Sequence, residues 1–404
     1  MIIAIKGVCQ DYLLIECPPP QTALKNNGDY QVKKIDVVVI GGGICGASVA
    51  LGLIRNGAGK VIMLDEQLPT QRLSRGNFGL TWFMPKGANN PVYAKWSRMA
   101  TILWPEFAAK LQEESGYDVE LEWNGGAMHA IGEDQFNAYA DSVKTLSKIC
   151  ADEGLDYPVR MLDRDEFASM IPEMKLGDDV SGAMYSAEQG HVNPLKLLGA
   201  LRCAFQNRGG IYYGGSAVYS IRPTNDGSVD VITADATYRC TKLVIAAGHG
   251  STRLLAELGQ TLHIYPQRGQ LIVTERVKKV LHFPILAVRQ TMDGTFMIGL
   301  STEDTAHDTQ VTVEAMKSQA SGAIRLFPEL GKLNWIRSWG AIRVMTPDGA
   351  PIYERLPDHK NIYVIAGHSA ITLAPVKEKQ IADWILEKET ASQISHFSNG
   401  RFNV

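Results

Sequence analysis

Three glycines at a fixed spacing are the residues most clearly placed for chemistry. Gly41, Gly43 and Gly46 occupy the first, third and sixth positions of the pattern G-x-G-x-x-G. Glycines there permit a sharp turn from strand to helix, a close approach of the backbone to a pyrophosphate, and tight packing of helix on sheet. The free N–H groups of the helix N-terminus would face the phosphates. The pattern therefore predicts a dinucleotide site.

The elements around these glycines are those that a dinucleotide fold requires. Residues 35–40 (IDVVVI) are typical of a buried parallel strand, and a helix is predicted from the turn to Asn56. Residues 61–64 predict a second buried strand, which Asp65 follows. A carboxylate at that position could accept hydrogen bonds from the hydroxyl groups of a ribose.

Two further segments favour FAD over NAD. Residues 243–251 (LVIAAGHGS) predict a buried strand that ends at Ala247 and Gly248, and residues 340–351 (GAIRVMTPDGAP) precede another strand and turn at 361–369 (NIYVIAGHS). Together with 266–271 (PQRGQL), they resemble the D-amino-acid oxidase superfamily of FAD-dependent oxidoreductases, which includes glycine oxidase and sarcosine oxidase. The resemblance extends from about residue 35 to 385.

A finer resemblance concerns residues 74–80 (SRGNFGL) and 90–96 (NPVYAKW). They look most like the FAD-bearing B subunits of heteromeric opine oxidases, and are similar to subunits of D-hydroxyproline dehydrogenase and hydrogen cyanide synthase. We expect an α/β chain of two domains, a Rossmann-type FAD-binding domain and an interleaved antiparallel-sheet substrate domain. The predicted division is an N-terminal arm at 1–34, FAD-binding segments at 35–98, 177–250 and 338–404, and substrate-binding segments at 99–176 and 251–337.

The resemblance also implies roles for single residues. In sarcosine oxidase a cysteine binds the flavin covalently; the matching residue is Ala341, so we expect noncovalent FAD. In glycine oxidase an arginine of the same segment binds the substrate carboxylate, and the matching residue is Arg343. A planar guanidinium suits that task because it forms two parallel hydrogen bonds with a carboxylate. Arg343 and His368 are the predicted catalytic residues; a salt bridge for Arg343 and simple packing for His368 are the alternatives.

The residues expected to contact FAD lie in the glycine turn, after the second strand, in the segment 74–79 and in the later turns. They are Gly41, Gly43, Ile44, Cys45, Gly46, Asp65, Glu66, Ser74, Asn77, Phe78, Gly79, Val218, Ala247, Gly248, Arg343, Gly367, His368, Ser369, Ala370 and Thr372. Members of the superfamily often carry more glycine in the last of these turns. That departure bears on how the turn approaches the flavin and on the reactivity of the flavin with oxygen.

The implied reaction is oxidation of the C–N bond of a secondary amine of amino-acid type. Hydride passes from the carbon next to nitrogen to the flavin, and the imine then hydrolyses to an amino acid and a 2-oxo acid. An opine carries extra carboxylates, so a second cation is expected in the pocket. Arg268 and Arg289 are the candidates, although each could make structural contacts instead. Lys86 is interpreted as solvated, and Cys45 as a packing residue.

The cysteines bear on the electron acceptor and the compartment. None of the six forms a Cys-x-x-Cys pair, so no metal or iron–sulfur site is predicted, and a reducing cytoplasm is expected. A further redox centre, an FMN or an iron–sulfur cluster, would have to come from partner subunits. We therefore expect the catalytic subunit of a heteromeric dehydrogenase or oxidase. The alternative is a stand-alone glycine, sarcosine or D-amino-acid oxidase that uses O2.

Composition narrows the remaining classes. The chain has 404 residues, of which 45% are hydrophobic and 21% charged, and this is enough apolar surface for two domains. A net charge of −3 argues against nucleic-acid binding, and hence against the second alternative, an FAD-dependent tRNA-modifying enzyme. A non-catalytic FAD-binding scaffold is a further alternative. The uncharged stretch 37–54 is interrupted by glycines, so no transmembrane segment is predicted.

Hydrophobic periodicity predicts the remaining elements. Helices are expected at 99–115, 137–150, 194–207, 313–327 and from about 374 to 387. Strands are expected at 12–15, 123–131, 182–185, 242–246, 271–274, 285–289, 295–299, 335–341 and 362–365, with a meander formed by 211–213, 218–221, 229–233 and 237–239.

Overall fold

The structure is a computed structural model that describes residues 32–66, 73–388 and 393–403. The strand expected at 12–15 lies outside these residues, as does nearly all of the N-terminal arm. The first elements are β1 (Val32–Ile40), α1 (Ile44–Arg55), β2 (Val61–Asp65), β3 (Leu80–Thr81), α2 (Pro91–Ile102), α3 (Trp104–Ser115), β4 (Gly126–Ile131), α4 (Glu133–Asp152), β5 (Arg160–Asp163), α5 (Arg164–Ser169), β6 (Val180–Ser186), β7 (Gly190–His191) and α6 (Pro194–Asn207).

The remaining elements complete two kinds of sheet. They are β8 (Ile211–Gly214), β9 (Val218–Pro223), β10 (Val229–Thr233), β11 (Thr237–Ile245), α7 (Gly250–Ala256), β12 (Tyr265–Arg276), β13 (Val288–Gln290), β14 (Thr295–Ile298), α8 (Val313–Leu326), β15 (Trp335–Met345), β16 (Ile352–Arg355), β17 (Ile362–Ala366), α9 (Ala374–Val376) and α10 (Ala382–Ile385). A π-helical turn at Lys377–Ile381 joins α9 to α10, so the predicted closing helix is confirmed as an irregular one.

The larger sheet confirms the predicted α/β architecture. Its strand order is β16-β17-β11-β1-β2-β8; β17, β11, β1, β2 and β8 run parallel, and β9 and β10 extend it from β11. The side chains of β1 alternate between two cores, because successive residues of a strand point to opposite faces. Val37 and Val39 pack in the helical layer, while Val38 and Ile40 pack on the other face. The sheet is thus buried on both faces, as its continuous apolar strands require.

One strand of the expected meander belongs elsewhere. Residues 211–213 form part of β8, which pairs with β2 in parallel register, with Ile62 opposite Ile211. The reason is that α6 packs against α1 in the helical layer and returns the chain to the free edge of β2. A strand, a crossover helix and a parallel strand form a βαβ unit, which a meander prediction cannot represent.

The smaller sheets lie on the other side of the molecule. Antiparallel strands β13-β14-β12-β15 form one sheet and β4-β6-β5 another, and a bridge between Ala127 and Ile285 joins them. Strand β6 lies in the predicted FAD segment that begins at 177, yet it pairs with β4 and β5 of the predicted substrate segment. Conversely, Trp104 and Phe107 pack in the helical core with α1. These contacts favour moving both boundaries, and the domain division stays a prediction.

The helix expected at 99–115 is in fact two helices. Helix α2 begins earlier than predicted, because the Asn90 side chain accepts a hydrogen bond of 3.1 Å from the backbone N–H of Tyr93 and caps it. Leu103 separates α2 from α3, whose first turn contains Pro105. Proline lacks a backbone N–H and is tolerated only in a first turn, so a new helix begins there. The expected strands 123–131 and 285–289 are also shorter, and 237–239 and 242–246 form one strand.

None of the helices within residues 32–66, 73–388 and 393–403 has the length and apolar character to cross a membrane.

The packing of α1 on the π-helical turn generates a stability prediction. A Cβ at Gly52 would come within 1.9 Å of the carbonyl oxygen of Glu378. A Cβ at Gly322, an exposed position of α8, would meet nothing within 4 Å. We expect Gly52→Ala to destabilise the fold by about 1–3 kcal/mol through overpacking. Gly322→Ala should stabilise it by up to about 1 kcal/mol through helix propensity. Thermal unfolding followed by circular dichroism measures both; shifts of equal size and sign would contradict the packing argument.

Candidate active site

A cavity of about 370 Å³ opens where the parallel strands end. Its walls include Ile40 and Gly41 at the end of β1, Ala246 after β11, and Ile365 and Gly367 at the end of β17. Ligands of parallel α/β sheets bind at the carboxyl ends of the strands, so this is the expected position of a nucleotide.

The glycine turn closes one side of the cavity through backbone contacts that exclude side chains. Gly41 has φ +105°, and a Cβ there would lie 2.3 Å from the Ala246 carbonyl oxygen. A Cβ at Gly46 would lie 1.8 Å from the Gly41 carbonyl oxygen, and one at Gly43 would lie 2.9 Å from the Ser74 hydroxyl. Ser74 also accepts a hydrogen bond of 3.0 Å from the N–H of Ile44. This cradle fits the diphosphate of a dinucleotide.

The peptide of Gly42 is held from both sides. Its N–H donates to Asp65 Oδ2 at 2.6 Å, and its carbonyl oxygen accepts from Arg202 Nη2 at 2.6 Å and Nε at 3.0 Å. The Arg202 guanidinium lies 4.5 Å from the centre of the Tyr212 ring. Asp65 and Glu66 line the cavity, as the sequence predicts, but the sequence analysis missed Arg202. The sequence carried no signal for it, because α6 also contains Lys196, Gln206 and Asn207 and the contact with Gly42 joins residues 160 positions apart.

Arg343 does not itself line this cavity; its strand neighbours Ile342 and Val344 do, and Arg343 lies with Ala341 on the other face of the β12–β15 pair. It is opposite Gln267 in register, and Nη1 lies 3.5 Å from Gln267 Oε1. A Cβ at Gly269 would come within 2.3 Å of Arg343 Nη2, so this glycine makes room for the guanidinium. Burial lowers the pKa of Arg343, and Glu303 opposes that effect. No described carboxylate forms an ion pair with Arg343, which disfavours the salt-bridge alternative.

His368 is held as a neutral imidazole. Burial, and then repulsion from Lys86, Arg343 and Lys377, lowers its pKa to about 3. The Tyr93 hydroxyl donates to Ser369 Oγ at 3.1 Å, and Ser369 Oγ lies 3.0 Å from His368 Nδ1. When Ser369 donates its own proton to Nδ1, the hydrogen of the imidazole lies on Nε2, and His368 can act as a hydrogen-bond donor from that atom.

Lys86 is half-buried and hydrogen-bonded to protein groups, so its interpretation as solvated is wrong. Its Nζ donates to the carbonyl oxygen of Trp82 and, at 2.9 Å, to the hydroxyl of Thr372. The Thr372 hydroxyl in turn donates to the Leu80 carbonyl oxygen at 3.3 Å. Burial, and then repulsion from Lys377, lowers the pKa of Lys86 to about 7. The sequence carried no signal for this contact, which joins residues far apart in the chain.

The predicted cofactor residues divide into those that line the cavity and those beside it. The lining residues are Gly41, Gly43, Cys45, Asp65, Glu66, Ser74, Val218, Ala247, Gly248, Gly367 and Ala370. Asn77 instead accepts a hydrogen bond of 2.9 Å from the N–H of Gly79, and Phe78 packs on Leu271 and Met297. Ile44 and Gly46 lie within the turn, and Thr372 binds Lys86. No three His, Cys, Asp or Glu side chains of the described segments are grouped to hold a metal ion.

The two candidates for a second substrate cation lie elsewhere. Arg268 follows Gln267, the residue that lies opposite Arg343 in the sheet. Its side chain therefore points to the face of β12 opposite to that of Gln267 and Arg343. There it binds Glu303 and Asp308, each at 2.8 Å. Arg289 is buried, with Nη1 2.9 Å from His191 Nδ1 and its guanidinium 5.6 Å from the Phe78 ring centre. The structure brings together Arg343 and His368, but neither of these arginines joins them.

Comparisons with known proteins identify the family of the chain. The family described as FAD dependent oxidoreductase (DAO) matches residues 36–384. The B subunit of opine oxidase from Agrobacterium tumefaciens (strain Ach5) is 34% identical over 92% of this chain and 98% of that protein, and the Rhizobium meliloti protein of the same name is 32% identical over 92% and 98%. The crystal structure of glycine oxidase from Geobacillus kaustophilus superposes with a TM-score of 0.80 at 25% identity, over 92% of this chain and 99% of that one. The chain therefore belongs to the D-amino-acid oxidase family and is an FAD-dependent oxidoreductase.

Proposed function

We propose that this protein oxidises the C–N bond of a secondary amine of amino-acid type, an opine or an imino acid, as the catalytic subunit of a heteromeric enzyme. The observation that carries the proposal is that Arg343, a cation without a described counterion, acts on the neutral imidazole of His368, while their chain neighbours Ile342, Val344 and Gly367 line the dinucleotide cavity. The two opine oxidase relatives support the choice of substrate class.

The chain's own residues account for cofactor binding. The N–H of Gly43 and the hydroxyl of Ser74 would hold the diphosphate, since the N–H of Gly42 already donates to Asp65 and that of Ile44 to Ser74. Asp65 would also hold the ribose. Bound FAD supplies the oxidant, which takes the equivalent of a hydride from carbon. Ala341 offers no thiol at the position where sarcosine oxidase has its cysteine, so the binding is noncovalent.

Substrate orientation falls to two side chains. Arg343 would bind the carboxylate through two parallel hydrogen bonds, which fixes the neighbouring C–H in one direction. His368 would donate from Nε2 and, being neutral, adds no positive charge that would repel the substrate nitrogen. Loss of a hydride from carbon and of a proton from nitrogen converts the amine to an imine, and water then cleaves the imine to an amino acid and a 2-oxo acid.

The electron acceptor distinguishes the two arrangements that the family resemblance allows. A subunit of a heteromeric dehydrogenase passes electrons to centres on partner chains, such as FMN or an iron–sulfur cluster, whereas a stand-alone oxidase reduces O2. Two relatives that are B subunits of opine oxidases support the first arrangement, and the glycine oxidase structure supports the second. Affinity purification of the chain from its own cell tests the choice, since stable partner subunits co-purify only in the first case.

The substrate class is tested by anaerobic mixing of the holoenzyme with opines, proline derivatives, D-amino acids, sarcosine and glycine. We expect opines or imino acids to bleach the flavin absorbance fastest. Bleaching by none of these amines would contradict the proposed function and support a scaffold role.

Removal of the carboxylate-binding cation gives a specific prediction. Arg343→Ala should weaken substrate binding by about 100-fold, as expected when a charge-assisted bidentate pair is lost. The measurement is the substrate concentration that gives half-maximal flavin reduction in stopped flow. Arg276→Ala is the control, because Arg276 is an exposed residue paired with Asp293. Equal, small effects in both variants would contradict the role of Arg343.

The flavin linkage is tested by denaturation. With Ala341 in place of a cysteine, acid precipitation of the holoenzyme should release all yellow pigment into the supernatant. Pigment that remains in the washed pellet would show a covalent bond and contradict the prediction.

A further inference from the structure

Several basic side chains surround the turn after β17. The charges that act on His368 are those of Lys86, Arg343 and Lys377, and all are positive. None of these three forms an ion pair with a carboxylate in the described part of the chain, and the group beside the buried Lys377 Nζ is the thiol of Cys45. Buried charge is normally paired, so this arrangement is typical of a site for an anion.

We propose that Lys86 is a second carboxylate subsite, which makes the enzyme selective for secondary amines that carry a carboxylate on each side of the nitrogen. The inference rests on the proposed function and names the substrate class within it. Arg343 binds the first carboxylate and Lys86 the second, and both positive charges act on His368.

The hydrogen bonds of Lys86 show why an anion is the missing partner. The Thr372 hydroxyl gives its own proton to the Leu80 carbonyl oxygen, so it must accept from Lys86. The carbonyl oxygen of Trp82 accepts a second N–H. Neutral Lys86 is then satisfied, because an amine has two hydrogens. The ammonium has a third, and no described acceptor takes it.

The amine is deep in the protein but can be reached. Lys86, His368 and Arg343 are all half-buried rather than sealed in the core. The alternative second cations are engaged elsewhere, because Arg268 binds two carboxylates and Arg289 contacts His191. Lys86 is therefore the cation available to a second carboxylate.

The direction of the pH dependence follows from the protonation state of Lys86 before the ligand binds. Below about pH 7 Lys86 is already an ammonium, and above it the amine must take up a proton when the carboxylate binds. Lys377 and His368 face it; His368 stays neutral, and Lys377 repels the added proton. Affinity for a dicarboxylate should thus fall as pH rises above 7, while affinity for a monocarboxylate should not show this fall.

The test uses ligands in which sulfur replaces the amine, so that no oxidation occurs. Thiodiacetate has both carboxylates and methylthioacetate has one. Binding to the holoenzyme is followed by the perturbation of flavin absorbance. We expect Lys86→Met to weaken thiodiacetate by about tenfold or more, the loss of one charge-assisted hydrogen bond, and to leave methylthioacetate unchanged. Lys86→Arg should retain part of the preference. Lys95→Met, which removes a surface lysine paired with Glu153, is the control.

The outcomes separate this inference from the proposed function. If Lys86→Met weakens both ligands equally, or neither, the second subsite is wrong. If that variant does not fold, the pH dependence of wild-type binding to the two ligands decides instead. Oxidation of 2,2′-iminodipropionate and of N-ethylalanine, which lacks one carboxylate, tests the function itself. If wild type oxidises both with equal efficiency, the function stands and the subsite fails; if it oxidises no amine, the function fails.

Discussion

The contact between two backbones sets the geometry of the whole site. Gly41 lies against the carbonyl group of Ala246, and Gly46 lies against Gly41 itself, at distances that no side chain could share. The first crossover can therefore close on the neighbouring strand only with glycine at both positions. Because β17 pairs with β11, residues that follow these two strands, namely Gly248, Gly367 and Ala370, line the same cavity.

A second constraint is electrostatic. The interior next to the cavity holds an excess of basic side chains, and the structure manages them by keeping His368 neutral and by lowering the pKa of Lys86. At the nucleotide end the balance is different, because Asp65 and Arg202 hold the same peptide from opposite sides. The nucleotide end is thus locally neutralised, whereas the surroundings of the turn after β17 are locally basic.

Local pattern was enough to predict some of this and not the rest. The strand, turn and helix at 35–56 are encoded by adjacent residues, so they could be predicted from spacing alone. Arg343 and His368 were assigned through the family resemblance, and the structure places them together. Arg202 and Lys86 could not be found in this way, because their partners Gly42 and Thr372 are distant in sequence. The same holds for β8, whose neighbour is decided by a crossover helix.

Ser369 has a consequence for how such a site can change over time. It is a residue with a side chain in a left-handed conformation, at φ +61°. That conformation costs on the order of 1 kcal/mol or more in a residue other than glycine. Glycine at this position would relax the main chain but would remove the hydroxyl group that lies between Tyr93 and His368. Backbone strain and the support of the imidazole are therefore coupled at this residue, so that an evolving sequence cannot relieve the first without losing the second.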